Sequence, residues 1–332
     1  MKHSRIKSLM AFLLLFFMIP NAHALTLKIA TLSPDGSMWM EKMREGAAEV
    51  AQKTQNRVKI KYYPGGVMGD DKAVLRKIRI GQLHGGAVVS GSLSAFFPDI
   101  QIYSLPMKFR SFEEIDYVRE RVDPLILEGL EKGGFVTFGV AEGGFAYVMS
   151  NARVQSISDM RAQKVWIPDN DPTALEVVKT LGISPIPLSI ADVRAGLQTS
   201  LINTVTAPPI GVIALQWHTQ VKYLLDIPFI YTYAVLSVDK KAFSKISPDD
   251  QPLVREIMTR VFQEIDQENR KDNVKATDAL RKQGIEFVRP GDDAIAEWQA
   301  KASEVSKNMI KGKELTPQMV DILEKHLGEV KK

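Results

Sequence analysis

The sequence predicts an α/β protein of two lobes, with a hinge between them and a long lobe-spanning helix toward the C-terminus. Three observations carry this. Strand-period and helix-period segments alternate early in the chain, and the same rhythm returns after residue 160. Roughly 300 residues remain after an export-type leader, a length that favours two cores over one. A stretch of helical character from Leu253 to about Arg281 is long enough to cross both.

The leader is MKHSRIKSLMAFLLLFFMIPNAHA. Lys2, Arg5 and Lys7 precede an apolar run, and Ala22-His23-Ala24 fits a small-x-small cleavage rule. The reading is a cleavable signal peptide over residues 1–24, cut after Ala24, and therefore an exported protein. The apolar run is short for a membrane span. No cysteine follows it, which excludes a lipid anchor on that residue.

LTLKIATLS alternates apolar and polar residues and predicts a first strand. Between Met38 and Lys53 the apolar residues Met40, Met43, Ala47 and Val50 share one helical face. RVKIKYYPGG predicts a strand and turn, DDKAVLRKIRIGQ a helix stopped by Gly81, and GGAVVSGS a buried strand. GGFVTFGVAEGGFAY lacks the spacing of a dinucleotide loop and reads as a strand and crossover. KVWIP then predicts a strand. Asp171 and Pro172 are the N-cap and first residue of a helix that Gly182 ends. ISPIPLS is extended, ADVRAGLQTS helical, and LINTVTAPP a strand and turn. Ser247-Pro248-Asp249-Asp250 caps the long helix. The expected division is 25–143 plus about 232–270 for lobe I, and 144–231 plus about 271–325 for lobe II.

Composition excludes several functions. The formal charge is +4, of which the leader supplies three, so the mature chain is near +1 with dispersed basic residues and no nucleic-acid stripe. Without cysteine there is neither disulfide nor thiol chemistry. His84, His218 and His326 are far apart in sequence and form no ligand pattern, so no metal or other cofactor is expected. Helix capping accounts for Asp171 in Asp169-Asn170-Asp171 without calcium. No GxSxG elbow or P-loop is present, and the expected function is binding, not catalysis.

An exported, cysteine-free, two-lobed α/β chain suggests a periplasmic binding protein, and several segments sharpen that. IATLSPDGSMWMEKM, PGGVMGDD, YSLPMKFRSFEE, SISDMRAQKVWIPDN, LGISPIPLSIADVRAGLQTSLINTVTAPP and SPDDQPLVREI occur in order along nearly the whole mature chain. Together they resemble the substrate-binding proteins of TRAP transporters, the DctP-like family of solute receptors. The resemblance implies a periplasmic binding protein fold, a small organic ligand captured by lobe closure, and delivery to the membrane permease subunits of a tripartite, ion-gradient-driven transporter. It implies a monomeric receptor.

The family's usual arginine, which grips a ligand carboxylate, corresponds here to Trp166 in KVWIP. An indole offers one N–H and an apolar face, and cannot replace a guanidinium fork. A second arginine position of some members corresponds to Ala146, and the family's Glu-Asn pair to Thr206 and Ala207. Every departure removes charge or hydrogen-bonding capacity. A buried carboxylate with no cation costs several kcal/mol, of order the penalty for an unpaired ion. The expected ligand is therefore neutral or hydrophobic, held by Trp39 and Phe96 from one lobe and by Phe145, Ala146, Tyr147, Trp166, Thr206 and Pro208 from the other. Three alternatives stay open. Arg110 or Arg194 supplies a relocated charge to a carboxylate; Trp166 is core only; or the receptor serves a periplasmic sensory module. Hinge crossings are expected near Glu142–Gly144 and Tyr231–Tyr233.

Overall fold

A computed structural model describes residues 24–169 and 171–330. Apart from Ala24, the predicted signal peptide lies outside the described residues. No described helix is long and apolar enough to cross a membrane.

The expected α/β architecture is present. One half of a mixed sheet has the order β2 (Val58–Tyr63), β1 (Leu25–Thr31), β3 (Gly85–Val89). These three strands pair in parallel. The other half runs through β7 (Thr204–Ala207), β5 (Val165–Pro168) and β6 (Pro185–Leu188), also parallel, with β8 (Tyr223–Leu225) and β10 (Glu286–Val288) alongside. Two long strands join the halves: β4 (Phe135–Ser150) and β9 (Ile230–Asp239). They pair antiparallel along most of their length, with register shifts at Thr137/Val140 and at Glu142/Gly144. The second irregularity falls at the expected crossing, where Glu142 faces Tyr233 and Gly144 faces Thr232.

The long helix, Asp250–Lys282, has 33 residues, about 50 Å at 1.5 Å per residue. Its first half buries Val254, Ile257, Met258, Val261, Phe262 and Ile265 against β4 and the helix Met38–Lys53, in a core shared with Leu27 and Ile29 of β1. Farther along, its inward face turns polar. Asp266 accepts from the Glu142 backbone N–H at 2.6 Å. Asn269 Nδ2 donates to the Glu142 carbonyl. Arg270 Nε donates to the Glu142 carboxylate at 3.1 Å, and its two Nη atoms grip Asp116 at 2.7 Å each. Asn273 donates to the Gly143 carbonyl at 2.8 Å and accepts from Ile210 N–H at 3.1 Å. These four positions share one helical stripe, i, i+3, i+4 and i+7.

Glu142 is fully buried, and Tyr231 also donates to it, at 2.9 Å. A buried carboxylate survives only when its lone pairs are answered, and here they are. Arg119 extends the network to Asp266, Asp123, the Val140 carbonyl and Tyr231. Burial by itself lowers the pKa of Arg119, but Tyr231, Asp123 and Asp266 outweigh it and raise the value overall.

The last two helices part company. Asp292–Lys311 packs on the second half, against the helix Pro172–Leu181. Pro317–Val330 returns to the first half: Thr316 donates to Asp99 through N and Oγ1, and Tyr117 donates to Glu329 at 3.2 Å. The expectation that residues up to 325 belong with lobe II does not describe this helix. Its apolar face, Met319, Leu323 and Leu327, is buried with the core that includes Ile115, Val118 and Val122 of the helix Phe112–Lys132.

Gly144 shows how tight the hinge is. Its φ is +100°, and a Cβ there meets Asn273 Nδ2 at 2.6 Å. Gly144→Ala is expected to lower unfolding free energy by about 2 kcal/mol or more, from backbone strain plus the clash. Gly284 has φ +87° but open space around it. Gly284→Ala should cost only the strain, about 1 kcal/mol. Urea denaturation of both variants measures the difference, and equal losses would remove the Asn273 contact from this account.

Candidate functional site

A cavity of about 270 Å³ lies between the two halves, beside the joining strands. It sits at the C-terminal ends of the parallel strands, where open α/β sheets present their ligand crevices. β3 and the turn after it supply Val89, Ser90 and Gly91. The joining strands supply Gly143, Thr232, Tyr233 and Ala234. β5 and β7 supply Trp166, Pro168, Thr206 and Ala207, and the helix Pro172–Leu181 lays Val177, Val178 and Leu181 along one wall.

That helix forms as expected. Asp171 caps it by accepting from Ala174 N–H at 3.0 Å, Pro172 is its first residue, and Gly182 ends it at φ +70°. Asp171 also reaches the opposite half. Its Oδ1 accepts from Gln101 Nε2 at 2.8 Å, and its Oδ2 lies where a Cβ on Gly91 would come within 2.8 Å. Only a glycine lets the two walls approach this closely. Burial raises the pKa of Asp171, opposed by hydrogen bonds from Ala174, Gln101 and Thr173.

Trp166 is 5% exposed. Its Nε1 donates to the Leu188 carbonyl at 3.0 Å, and its ring meets Trp217 edge to face at 5.3 Å. It is packed in the core of the second half and also lines the cavity. The two sequence readings of this residue, core and pocket wall, are not exclusive. Since its N–H is taken by backbone, Trp166 offers the cavity apolar surface.

The eight residues read from sequence divide. Trp166, Thr206 and Pro208 line the cavity together. The other five are not among its lining residues. Trp39 donates from Nε1 to Asn269 at 2.8 Å and packs edge to face on Phe262, so it serves the hinge. Phe96 is 40% exposed, meets Phe135 edge to face and borders a separate surface groove with Phe97 and Met319. Phe145 packs on Phe112 and Tyr231. Ala146 is fully buried, and Tyr147 is wedged between two core clusters. Sequence reasoning missed Trp217, Asp171 as a wall residue, and the apolar face of Pro172–Leu181. That face was legible in the spacing of Val177, Val178 and Leu181; Trp217 sits in IGVIALQWHTQ, which carries no motif.

Among the described lining residues Asp171 is the sole charged side chain. Arg110 is largely exposed and paired with Glu114 at 3.2 Å, and Arg194 is exposed; neither lines the cavity. No group of three or more metal-ligating side chains occurs among the described residues.

A family model for bacterial extracellular solute-binding proteins, family 7, matches residues 29–313. Among curated relatives, the sialic acid-binding periplasmic protein SiaP of Vibrio cholerae is 22% identical over 80% of this chain and 84% of its own length. The uncharacterized protein YiiZ of Salmonella typhimurium is 28% identical over 62% of this chain, which spans 64% of YiiZ. Among solved structures, a TRAP periplasmic solute-binding protein from Xanthobacter autotrophicus with bound β-D-galacturonate aligns with TM-score 0.83 at 18% identity, over 91% of this chain and 99% of that one.

The cavity wall of the first half is braced by Asp71, whose Oδ2 accepts from Val89 N–H and Ser92 Oγ, each at 3.1 Å. Burial first, then the nearby Asp70 and Asp169, push its pKa from 3.8 up to about 6, against those two hydrogen bonds. The folded state thus holds this proton more tightly than the unfolded chain. The resulting stability is fully present below pH 4 or so and is lost as pH rises to about 6. Asp71→Asn keeps an accepting oxygen and carries no charge. Relative to the variant, the native protein should lose up to about 3 kcal/mol between those limits, at 1.36 kcal/mol per pKa unit. Urea melts across this range check it; parallel profiles would contradict it.

Proposed function

The chain belongs to the bacterial extracellular solute-binding protein family 7, a family of receptors rather than catalysts, and on that premise we propose that it captures a neutral, largely apolar solute in the periplasm and delivers it to a TRAP-type permease. The observation that carries the ligand class is the cavity wall: apolar almost throughout, with Asp171 as its charged group and no lysine, arginine or histidine among the described lining residues.

Magnitudes decide between ligand classes. Placing a solute carboxylate here leaves it without a cation and beside an acidic side chain, a penalty of several kcal/mol. A single neutral hydrogen bond returns about 1 kcal/mol and cannot offset that. Burial of apolar solute surface returns roughly 25 cal/mol per Å² and needs no cation. The solved relative from Xanthobacter holds a sugar acid, β-D-galacturonate. This chain, with Trp166 in its cavity wall, is read as having left that class. Closure is a shift toward the conformer that binds more tightly, with β4, β9 and the long helix as the bending elements. Periplasmic residence, in line with SiaP, and a monomeric receptor are part of the same proposal.

A thermal-shift panel tests it. Neutral apolar solutes should raise the melting temperature, by linkage of binding to folding; galacturonate, glucuronate and pyroglutamate should not. Stabilisation by the acids alone would overturn the reading. For any solute that binds, Trp166→Ala should weaken affinity by about 1–3 kcal/mol, the scale of one buried aromatic side chain. Unchanged affinity with lowered stability would make Trp166 a core residue only.

A further inference from the structure

Asp171 belongs to the second half as the N-cap of Pro172–Leu181, yet two of its contacts lie in the first half. Gln101 Nε2 donates to its Oδ1 at 2.8 Å. A Cβ placed on Gly91 would stand 2.8 Å from Oδ2, 3.0 Å from Cγ and 3.3 Å from Cβ of Asp171, and these are the three atoms nearest to it. Neither contact uses the joining strands or the long helix.

The partners in the first half are held in place without Asp171. Gln101 is fully buried in the short helical turn Pro98–Ser104. Beside it, Asp99 accepts from Thr316 N and Oγ1, and the Ile100 carbonyl accepts from Tyr233. Gly91 sits in the turn Ser90–Leu93, which Asp71 fixes by accepting from Val89 N–H and Ser92 Oγ. Across the cleft, Ala174 N–H holds Asp171 Oδ1. The carboxylate therefore cannot swing away from Gly91 without giving up two hydrogen bonds. Each surface is organised within its own half, and the two meet with no room for a methyl group between them. Such a contact is either made or broken, as packed interfaces are. Gly91 and Asp171 line the cavity, while Gln101 does not.

We infer that Gly91, Gln101 and Asp171 form a cross-cleft latch that holds the halves together over the cavity. Gly91 sets the distance of approach, and Gln101 is a positioning residue that acts through Asp171. This rests on the closure proposed above but not on the solute class. The contacts are all between protein atoms, so the latched form is populated without solute.

The test reads the separation of the halves directly. The chain has no cysteine, so Arg79→Cys and Lys179→Cys place one spin label on each half at exposed sites. Double electron–electron resonance with no solute added should show a short separation, the latched form, beside a longer one. Gly91 lies outside the left-handed region, so alanine fits its backbone and meets only the latch. Gly91→Ala should lower the ratio of short to long separations by about tenfold or more, the scale of an overpacked methyl group. Gln101→Leu should lower it by about three- to tenfold, the worth of one net hydrogen bond. Cooperative melting curves check that both variants fold; should loss of the buried Gln101 side chain unfold the protein, Gly91→Ala decides alone. Two separations whose ratio Gly91→Ala leaves unchanged would overturn the latch and leave closure standing. A single separation shared by the native protein and Gly91→Ala would overturn the closure as well.

Discussion

One interaction set holds the two halves in register: the polar stripe Asp266, Asn269, Arg270 and Asn273 of the long helix against the backbone and carboxylate at Glu142–Gly143. A strand that kinks at Glu142/Gly144 exposes backbone groups that no neighbouring strand can answer. Unanswered and buried, those groups would each cost about 1–3 kcal/mol. The helix supplies their partners from one face, and so fixes where the strands bend. The cavity is adjacent, with Gly143 and Thr232 in its wall, so cavity and strand irregularity share residues. Residues at the strand irregularity and residues of the cavity wall are within one or two positions of each other.

The same network explains where the cationic chemistry of this chain has gone. Arg119 and Arg270 are the guanidinium groups nearest the joining strands in the bonding pattern, and both are engaged with Asp123, Asp266, Glu142 and Asp116. Asp116 first, and then Glu142, raise the pKa of Arg270 against its burial. Neither arginine lines the cavity. What lines the cavity is a pair of tryptophans, an aliphatic helix face and an acid that accepts a hydrogen bond from Gln101 across the cleft. The Asp171–Gln101 contact joins the first half to the N-terminus of the very helix that forms the apolar wall.

Much of this was legible in the sequence. Alternation gave β1, the helix Met38–Lys53 appeared at its expected bounds, and the cap at Asp171 and stop at Gly182 fell where residue chemistry put them. Trp166 and Thr206 drew notice because each departs from a family pattern, and Pro208 because it closes the same segment; all three line the cavity. Trp39 and Phe96 misled because aromatic character does not say which face a side chain takes. Trp39 turned to Asn269, a partner 230 residues away. The hinge stripe was present as D-x-x-N-R-x-x-N within an otherwise amphipathic helix, but its meaning depends on a kink in a strand more than 120 residues earlier. Trp217 needed the whole second half to assemble before its unpaired N–H became visible.

A neutral, apolar solute is proposed where the Xanthobacter relative holds a sugar acid. The most direct measurement is native mass spectrometry of the protein purified from the periplasm, followed by denaturation, extraction and identification of whatever co-purified. The proposed function predicts an uncharged, mostly apolar molecule, released on unfolding in stoichiometric amount. A small carboxylate recovered in that amount would contradict it.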